Sequence, residues 1–467
     1  MATDKTTTKA ICWRADLPGK RLQGEIVYGP TDGAEVDLFG HFLEKIDDKS
    51  FEERFTLHGQ TFSAKLFTLF NSVVSGGQFH FPGGGSCKIK SWFGVVGGHY
   101  LSPDDVKFKS VEVQITGLID WTCTTGIKFE AIETPRSLNL SYQIPAVIEL
   151  GRFGCFSLRL QISSNAQPNY HAFEIKENCT LVIEADELQP YLAFEEYILK
   201  FEHFLCLAIQ RPVCLLEAIG HIDKPKDTIR DIPIFEDFLI LRKINLPDWS
   251  RDTLNPHDLF FNLYDLQPSP AEIFGKFVER ESKLRASFDL YFSTIYKDNW
   301  LPRVEFLTLA QSLEAYHRAT MPGKYISDDL YNEGLRKKLW DSVPIPPEID
   351  ADFRASLKNK LNYLHEFSLK KRLRELAKAH ADILADLIGS ANDFSDAISV
   401  LRNKLTHPLE SCDEEEKDYR KMIRLSEMMA LLLEVCFLSE IGFTREIVKA
   451  IIFNRSKRAV RIQRGWV

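Results

Sequence analysis

Late in the chain the sequence reads AISVLRNKLTHPLE. Within it Arg402, Asn403 and His407 bring a guanidinium, an amide and an imidazole within six residues. An imidazole exchanges a proton near neutral pH, and a guanidinium is a planar fork for anions. The spacing decides little by itself. With 12 histidines in 467 residues, an Arg followed five positions later by a His is expected roughly once by chance. A second reading stays open, in which a surface arginine stands beside a histidine that caps the last helix carbonyls.

The elements that position these groups can be read from the same stretch. Phe394, Ile398, Leu401 and Leu405 recur at steps of four, three and four, which makes one buried helical stripe. Arg402, Asn403 and Thr406 fall off that stripe. The helix is anchored on one side and presents polar groups on another, as a catalytic group requires. Asn403 and His407 are four apart and can share a face. Pro408 disfavours helical backbone at His407, so the imidazole sits at a fraying helix end.

The rest of the chain changes period midway. Residues 1–185 hold short runs rich in Val, Ile, Phe and Thr, among them GEIVYG, QTFSAKLFTLF, FKSVEVQITGLI, FSLRLQIS and CTLVIEAD. Gly and Pro clusters punctuate them, which predicts a β sandwich or irregular barrel. A helix is predicted after Pro190, over YLAFEEYILKFEHFLCLAI, followed by strands in VCLLEAIGH and FEDFLILRKINL. Residues 186–270 therefore read as an α+β connector tied to the first half. Over 271–467 the pattern is helical, with loops at SVPIPPEID, GSAND and HPLES, as in an up-and-down bundle. The fold class expected is multidomain α+β: a β-rich, sandwich-like N-terminal domain followed by an all-α bundle.

Composition excludes several classes. The chain is 44% apolar and 27% charged, with a formal net charge of −8. A coat that binds nucleic acid over its whole surface would be basic, so any RNA contact must be local. No signal peptide or transmembrane run is read, and a cytoplasmic location is expected. The nine cysteines form no C-x-x-C pair and read as free thiols, with no metal and no cofactor expected. FPGGGSCKIKS (81–91) does not match a phosphate loop, Arg374 and His380 are one residue too far apart, and no G-x-S-x-G or H-E-x-x-H occurs.

Arg402-Asn403-Lys404-Leu405-Thr406-His407, an R-x-x-x-x-H with a polar residue after the arginine, resembles the motif of HEPN-domain ribonucleases. FLTLAQSLEAYHR (306–318) resembles the opening helix of one HEPN type. The layout resembles the ApeA-like HEPN family of prokaryotic antiviral proteins, which join a β-rich N-terminal domain to a HEPN domain. The resemblance implies a HEPN helical bundle over 271–467 and metal-independent RNA cleavage by attack of the ribose 2′-OH. It assigns His407 to proton transfer, Arg402 to the phosphate and Asn403 to orientation. It further implies a homodimer with both motifs lining one cleft, structured cellular RNA such as tRNA as target, and a sensing or restraining N-terminal domain, with a phage-derived trigger.

Glu314 and His317 are secondary candidates in the 306–318 helix, against an intrahelical Glu314–Arg318 pair. Candidate RNA contacts are Lys370, Lys371, Arg372 and Arg374, Lys404 beside the motif, and Arg455 and Arg458 in a basic tail with Lys457, Arg461 and Arg464. Solvated helix faces are the alternative. The rival function is a non-catalytic HEPN module that binds RNA or scaffolds, with Arg402 and His407 structural.

Overall fold

The computed structural model describes residues 5–42, 53–80, 84–132, 137–229, 232–266, 269–296, 301–342, 346, 348–406 and 415–466. The chain divides into two compact units, Met1–Gly275 and Lys276–Val467.

The first unit is built on strands β1 (Thr6–Arg14), β2 (Leu22–Gly29), β3 (Gly33–Phe39), β4 (Phe55–Thr61), β5 (Leu66–His80), β6 (Gly84–Ser91) and β7 (Phe93–Val96). They are followed by β8 (Lys107–Ile115), β9 (Ile127–Ile132), β10 (Ser137–Tyr142), β11 (Ile148–Phe153), β12 (Phe156–Asn169), β13 (Ala172–Pro190), β14 (Leu215–Ile229) and β15 (Ile232–Arg242). Helices α1 (Leu118–Thr122) and α2 (Tyr191–Ile209) interrupt them. Alternation explains the strands. In β3, Ala34, Val36 and Leu38 are buried while Glu35 and Asp37 face out and pair with Lys90 and Lys88 of β6.

Strands β5, β4, β1, β2, β3 and β6 pair in turn, and β6 pairs back on β5, so this part closes into a barrel. Closure leaves no open edge among these strands. Its core includes Ile26, Val36, Leu57, Phe67, Leu69 and Ile89. β6 and β7 form one run against β5, in register at Val73↔Lys90 and Phe70↔Phe93. The outer edge of that run forks: β6 pairs with β3, and β7 pairs with β15. The buried Ser91 hydroxyl lies 2.8 Å from the carbonyls of Phe70 and Phe93 and fixes the fork. From β7 an open antiparallel sheet continues β15-β14-β8-β13-β12-β11. Of the sandwich or irregular barrel expected, the structure forms the barrel, fused to an open sheet because long strands divide their length between two partners.

The expected connector at 186–270 is woven into that sheet. β14 pairs with β8 and β15 with β7, both inside the sheet. Helix α2 forms over the residues expected of it and packs on β8 and β13. Its Phe201 and Phe204 meet Trp121 and Phe274 edge-on, at centroid distances of 5.3–6.2 Å.

The second unit is helical: α3 (Pro270–Tyr296, whose first residues belong to the first unit), α4 (Pro302–Thr320), α5 (Asp328–Leu330), α6 (Arg336–Ser342), α7 (Ala351–Asn362), α8 (Leu369–Ala379), α9 (Ala381–Ile388), α10 (Ala391–Thr406), α11 (Glu415–Glu440), α12 (Arg445–Arg455) and α13 (Lys457–Gln463). α11 is its axis. Met429–Leu438 is buried all round, the signature of a central helix. Phe277, Leu284, Phe288 and Phe292 of α3 are buried as expected, and Phe288 meets Phe437 at 4.4 Å between centroids. One helix expected over 368–388 is two, broken at His380, which is non-helical at φ −118°, ψ 21°. Residues 328–342 form helix where no element was expected, with a π-helical turn at Tyr331–Leu335.

Gly59 of β4 lies opposite Phe67 of β5, and a Cβ there would come within 2.1 Å of the Phe67 ring. The ring lies over bare backbone. Gly59→Ala should destabilise the first unit by about 1–3 kcal/mol through overpacking, seen as a lower urea midpoint. An unchanged midpoint would show that the barrel interior can yield there.

Candidate active site and its supports

Helix α10 carries two of the three motif residues. Its start is fixed by Ser390, whose hydroxyl accepts from the Asp393 backbone N–H (3.1 Å) and donates to the Asp393 carboxylate (2.7 Å). Phe394, Ile398 and Leu401 are buried against α4, α8, α9 and α11, and Leu405 is half-buried. Arg402, Asn403 and Lys404 are exposed. The stripe thus orients them as the spacing predicts. Among the described residues no carboxylate pairs with Arg402, whereas Arg14, Arg318 and Arg458 each hold two. The Thr406 hydroxyl donates to the Arg402 carbonyl at 3.0 Å, which occupies a last-turn acceptor that the capping reading would give to the histidine. His407 and Pro408 lie outside the described residues.

The 306–318 helix places its polar residues differently. Glu314 accepts from Arg318 at 3.0–3.2 Å, and Arg318 also reaches Glu366 at 2.8 Å, so the intrahelical pair is what forms. His317 is fully buried. Its Nδ1 accepts from Arg372 (3.1 Å), since a guanidinium can only donate, and its Nε2–H donates to Glu375 (2.9 Å). Burial holds His317 below the ordinary imidazole value, and the charge of Arg372 adds to this.

Arg372 is a correction to the set of RNA contacts. Its side chain is 2% exposed. Beyond His317 it donates to the carbonyls of Phe367 (3.1 Å) and Gly323 (3.2 Å). A Cβ at Gly323 would sit 2.5 Å from its Nη1, so only glycine admits this approach. Arg458 is a second correction. It donates to Glu434 and Glu427 at 2.8 Å; burial opposes its charge, but these carboxylates hold its pKa above the usual guanidinium value. Both charges serve the interior because a buried cation must be met by acceptors. Lys371 is half-buried over Phe367 and Tyr325, at 3.7 and 4.2 Å from the ring centroids. Lys370 is half-exposed and reaches Asp396 of α10 at 2.6 Å, while Arg374 and Arg455 are half-buried.

Among the described residues no group of three or more His, Cys, Asp or Glu is placed to hold a metal ion, and no helix is long and apolar enough to cross a membrane. The described cysteines are free. The first unit has an open polar cavity of about 880 Å³ lined in part by Lys5, Asp32, Asp120, Glu177 and Lys243. Nothing in the sequence pattern marks it, because its lining comes from segments far apart in the chain.

The lowered pKa of His317 carries a sign. Neutral imidazole is the folded form, so its stabilisation is complete above about pH 6.5 and is lost as pH falls through the lower folded value. His317→Gln should reduce the drop in urea midpoint of the helical unit between pH 7.5 and 5. An identical drop in both proteins would remove His317 from that dependence.

A family model described as ApeA N-terminal domain 1 matches residues 11–277, and one described as Apea-like HEPN matches residues 307–447. Searches of curated proteins and of solved structures returned no match. The first match spans the barrel and its fused sheet, and the second runs from α4 into α12 and contains α10. The chain belongs to the ApeA-like HEPN family.

Proposed function

We propose that this protein is a metal-independent endoribonuclease of the HEPN type, with Arg402, Asn403 and His407 as its catalytic residues. HEPN domains are in general endoribonucleases. The observation that carries the reading here is the exposed guanidinium of Arg402, without a carboxylate partner among the described residues, beside Asn403 on an anchored helix face. Such a group can grip a phosphate.

The reaction balances on RNA alone. The ribose 2′-oxygen bonds to the adjacent phosphorus and the bond from phosphorus to the 5′-oxygen breaks. One proton leaves the 2′-OH and one reaches the departing 5′-oxygen. His407 transfers one of these protons, Arg402 stabilises the charge that gathers on the phosphoryl oxygens, and Asn403 orients the phosphate or the imidazole. A single imidazole cannot hold both proton positions at once. A homodimer pairing two copies of 402–407 across a two-fold axis supplies the second.

The setting in this reading is cytoplasmic antiviral defence. The target class is structured cellular RNA such as tRNA, and a phage-derived trigger acts at the first unit to release a latent toxin that aborts infection. The polar cavity lined by Lys5, Asp120 and Lys243 supports a binding role for that unit.

His407→Ala and Arg402→Ala should each lower cleavage of total tRNA in EDTA by about 10²-fold or more. DNA of the same sequence should stay intact, having no 2′-OH. RNA decay at the wild-type rate in both variants would rule out this site.

A further inference from the structure

Between α4 and α8 the chain inserts residues 321–368, which build a small helical hairpin. Its base is tied at several points. The backbones at Lys324 and Glu366 pair antiparallel, His365 reaches Asp328 at 2.8 Å and stacks on Tyr331 at 4.2 Å, and the Tyr331 hydroxyl donates to the Leu361 carbonyl. Arg336 donates to Asn362 at 3.3 Å, which brings the start of α6 to the end of α7.

That juxtaposition segregates charge. Residues 334–340 carry Arg336, Lys337 and Lys338 with no carboxylate, and residues 353–365 carry Arg354, Lys358 and Lys360 with none. The hairpin's acids lie elsewhere, at Asp328, Asp329, Glu333, Asp341, Glu348, Asp350, Asp352 and Glu366, the last of which is taken by Arg318 and Arg372. Lys337, Lys338, Lys358 and Lys360 are all exposed, and among the described residues none has an ion pair. Beside them Tyr363 is 68% exposed. Neither α6 nor α7 has a buried residue, so packing does not account for this face. A π-helical turn, a feature frequent at functional sites, immediately precedes the first lysine pair.

The patch is also linked to the motif helix. α8 begins seven residues after α7 ends, and its Lys370 reaches Asp396. Asp396 is six residues before Arg402, about 9 Å along α10. Unpaired lysines next to an exposed aromatic ring are what binds an RNA strand without reading its sequence: ammonium groups on successive phosphates and a ring under a base.

We propose that Lys337, Lys338, Lys358, Lys360 and Tyr363 form an RNA-docking surface that holds an unpaired stretch of the substrate beside the α10 site. This rests on the ribonuclease reading for its purpose, though not for the binding itself.

The test uses the full chain carrying His407→Ala and fluorescently labelled total tRNA, with binding read by anisotropy across a salt series. Changing all four lysines to Ala should weaken binding at least tenfold. It should also flatten the slope of log affinity against log salt, by about 0.7 for each phosphate no longer neutralised. Tyr363→Ala should weaken binding severalfold and leave the slope unchanged, since stacking releases no counterion. The changed side chains are exposed, and far-UV circular dichroism confirms that the variants fold. Unchanged affinity and slope in the quadruple variant overturn the proposal, as does binding of its parent to anionic vesicles but not to tRNA. If the parent binds through the patch while the chain with His407 intact cleaves nothing, the docking surface stands and the nuclease reading fails.

Discussion

Arg372 is a guanidinium that cannot give up its charge, enclosed between α4, the start of α8 and the Gly323 backbone. Its donors must all find acceptors, and a buried cation without them would cost several kcal/mol. The acceptors come from three places: the His317 ring on α4, the Gly323 carbonyl after α4, and the Phe367 carbonyl before α8. One side chain thus fixes where α4 ends, where α8 begins and which tautomer His317 adopts. α8 packs along α10, and α10 sets the direction of Arg402. The exposed chemistry depends on a buried charge on the neighbouring helix.

The first unit solves a different constraint. Long strands leave long edges, and edges invite pairing with other chains. Here β5 and the β6–β7 run share their length between a closed barrel and an open sheet, with the buried Ser91 hydroxyl at the branch. The same arrangement draws β14 and β15, distant in sequence, into the middle of the sheet. It also gathers Lys5, Asp120 and Lys243 around one cavity.

Local periodicity made much of this legible. The stripe Phe394, Ile398, Leu401 predicted the orientation of α10, and the apolar run after Pro190 predicted α2. What could not be read depends on tertiary partners. Lysine and arginine runs look alike whether they face water or acceptors, so Arg372 and Arg458 read as surface charges although both are enclosed by carbonyls or carboxylates. Barrel closure depends on which strand β6 chooses, and alternation is silent on that choice. The 328–342 helix is short, contains Gly334 in a π-turn and buries only Tyr331 among its residues, so it leaves no apolar stripe to find. The motif is legible by its resemblance and not by its spacing, which chance alone would supply about once in a chain of this length.

The chemistry of the RNA ends tests the central claim most directly. With EDTA present, mass spectrometry of tRNA fragments released by the wild-type chain should find 2′,3′-cyclic phosphate on one end and a free 5′-hydroxyl on the other. These are the only ends that 2′-OH attack can leave at the moment of cleavage. Fragments bearing 5′-phosphate, or cleavage that stops with EDTA, would contradict an active site built on Arg402, Asn403 and His407.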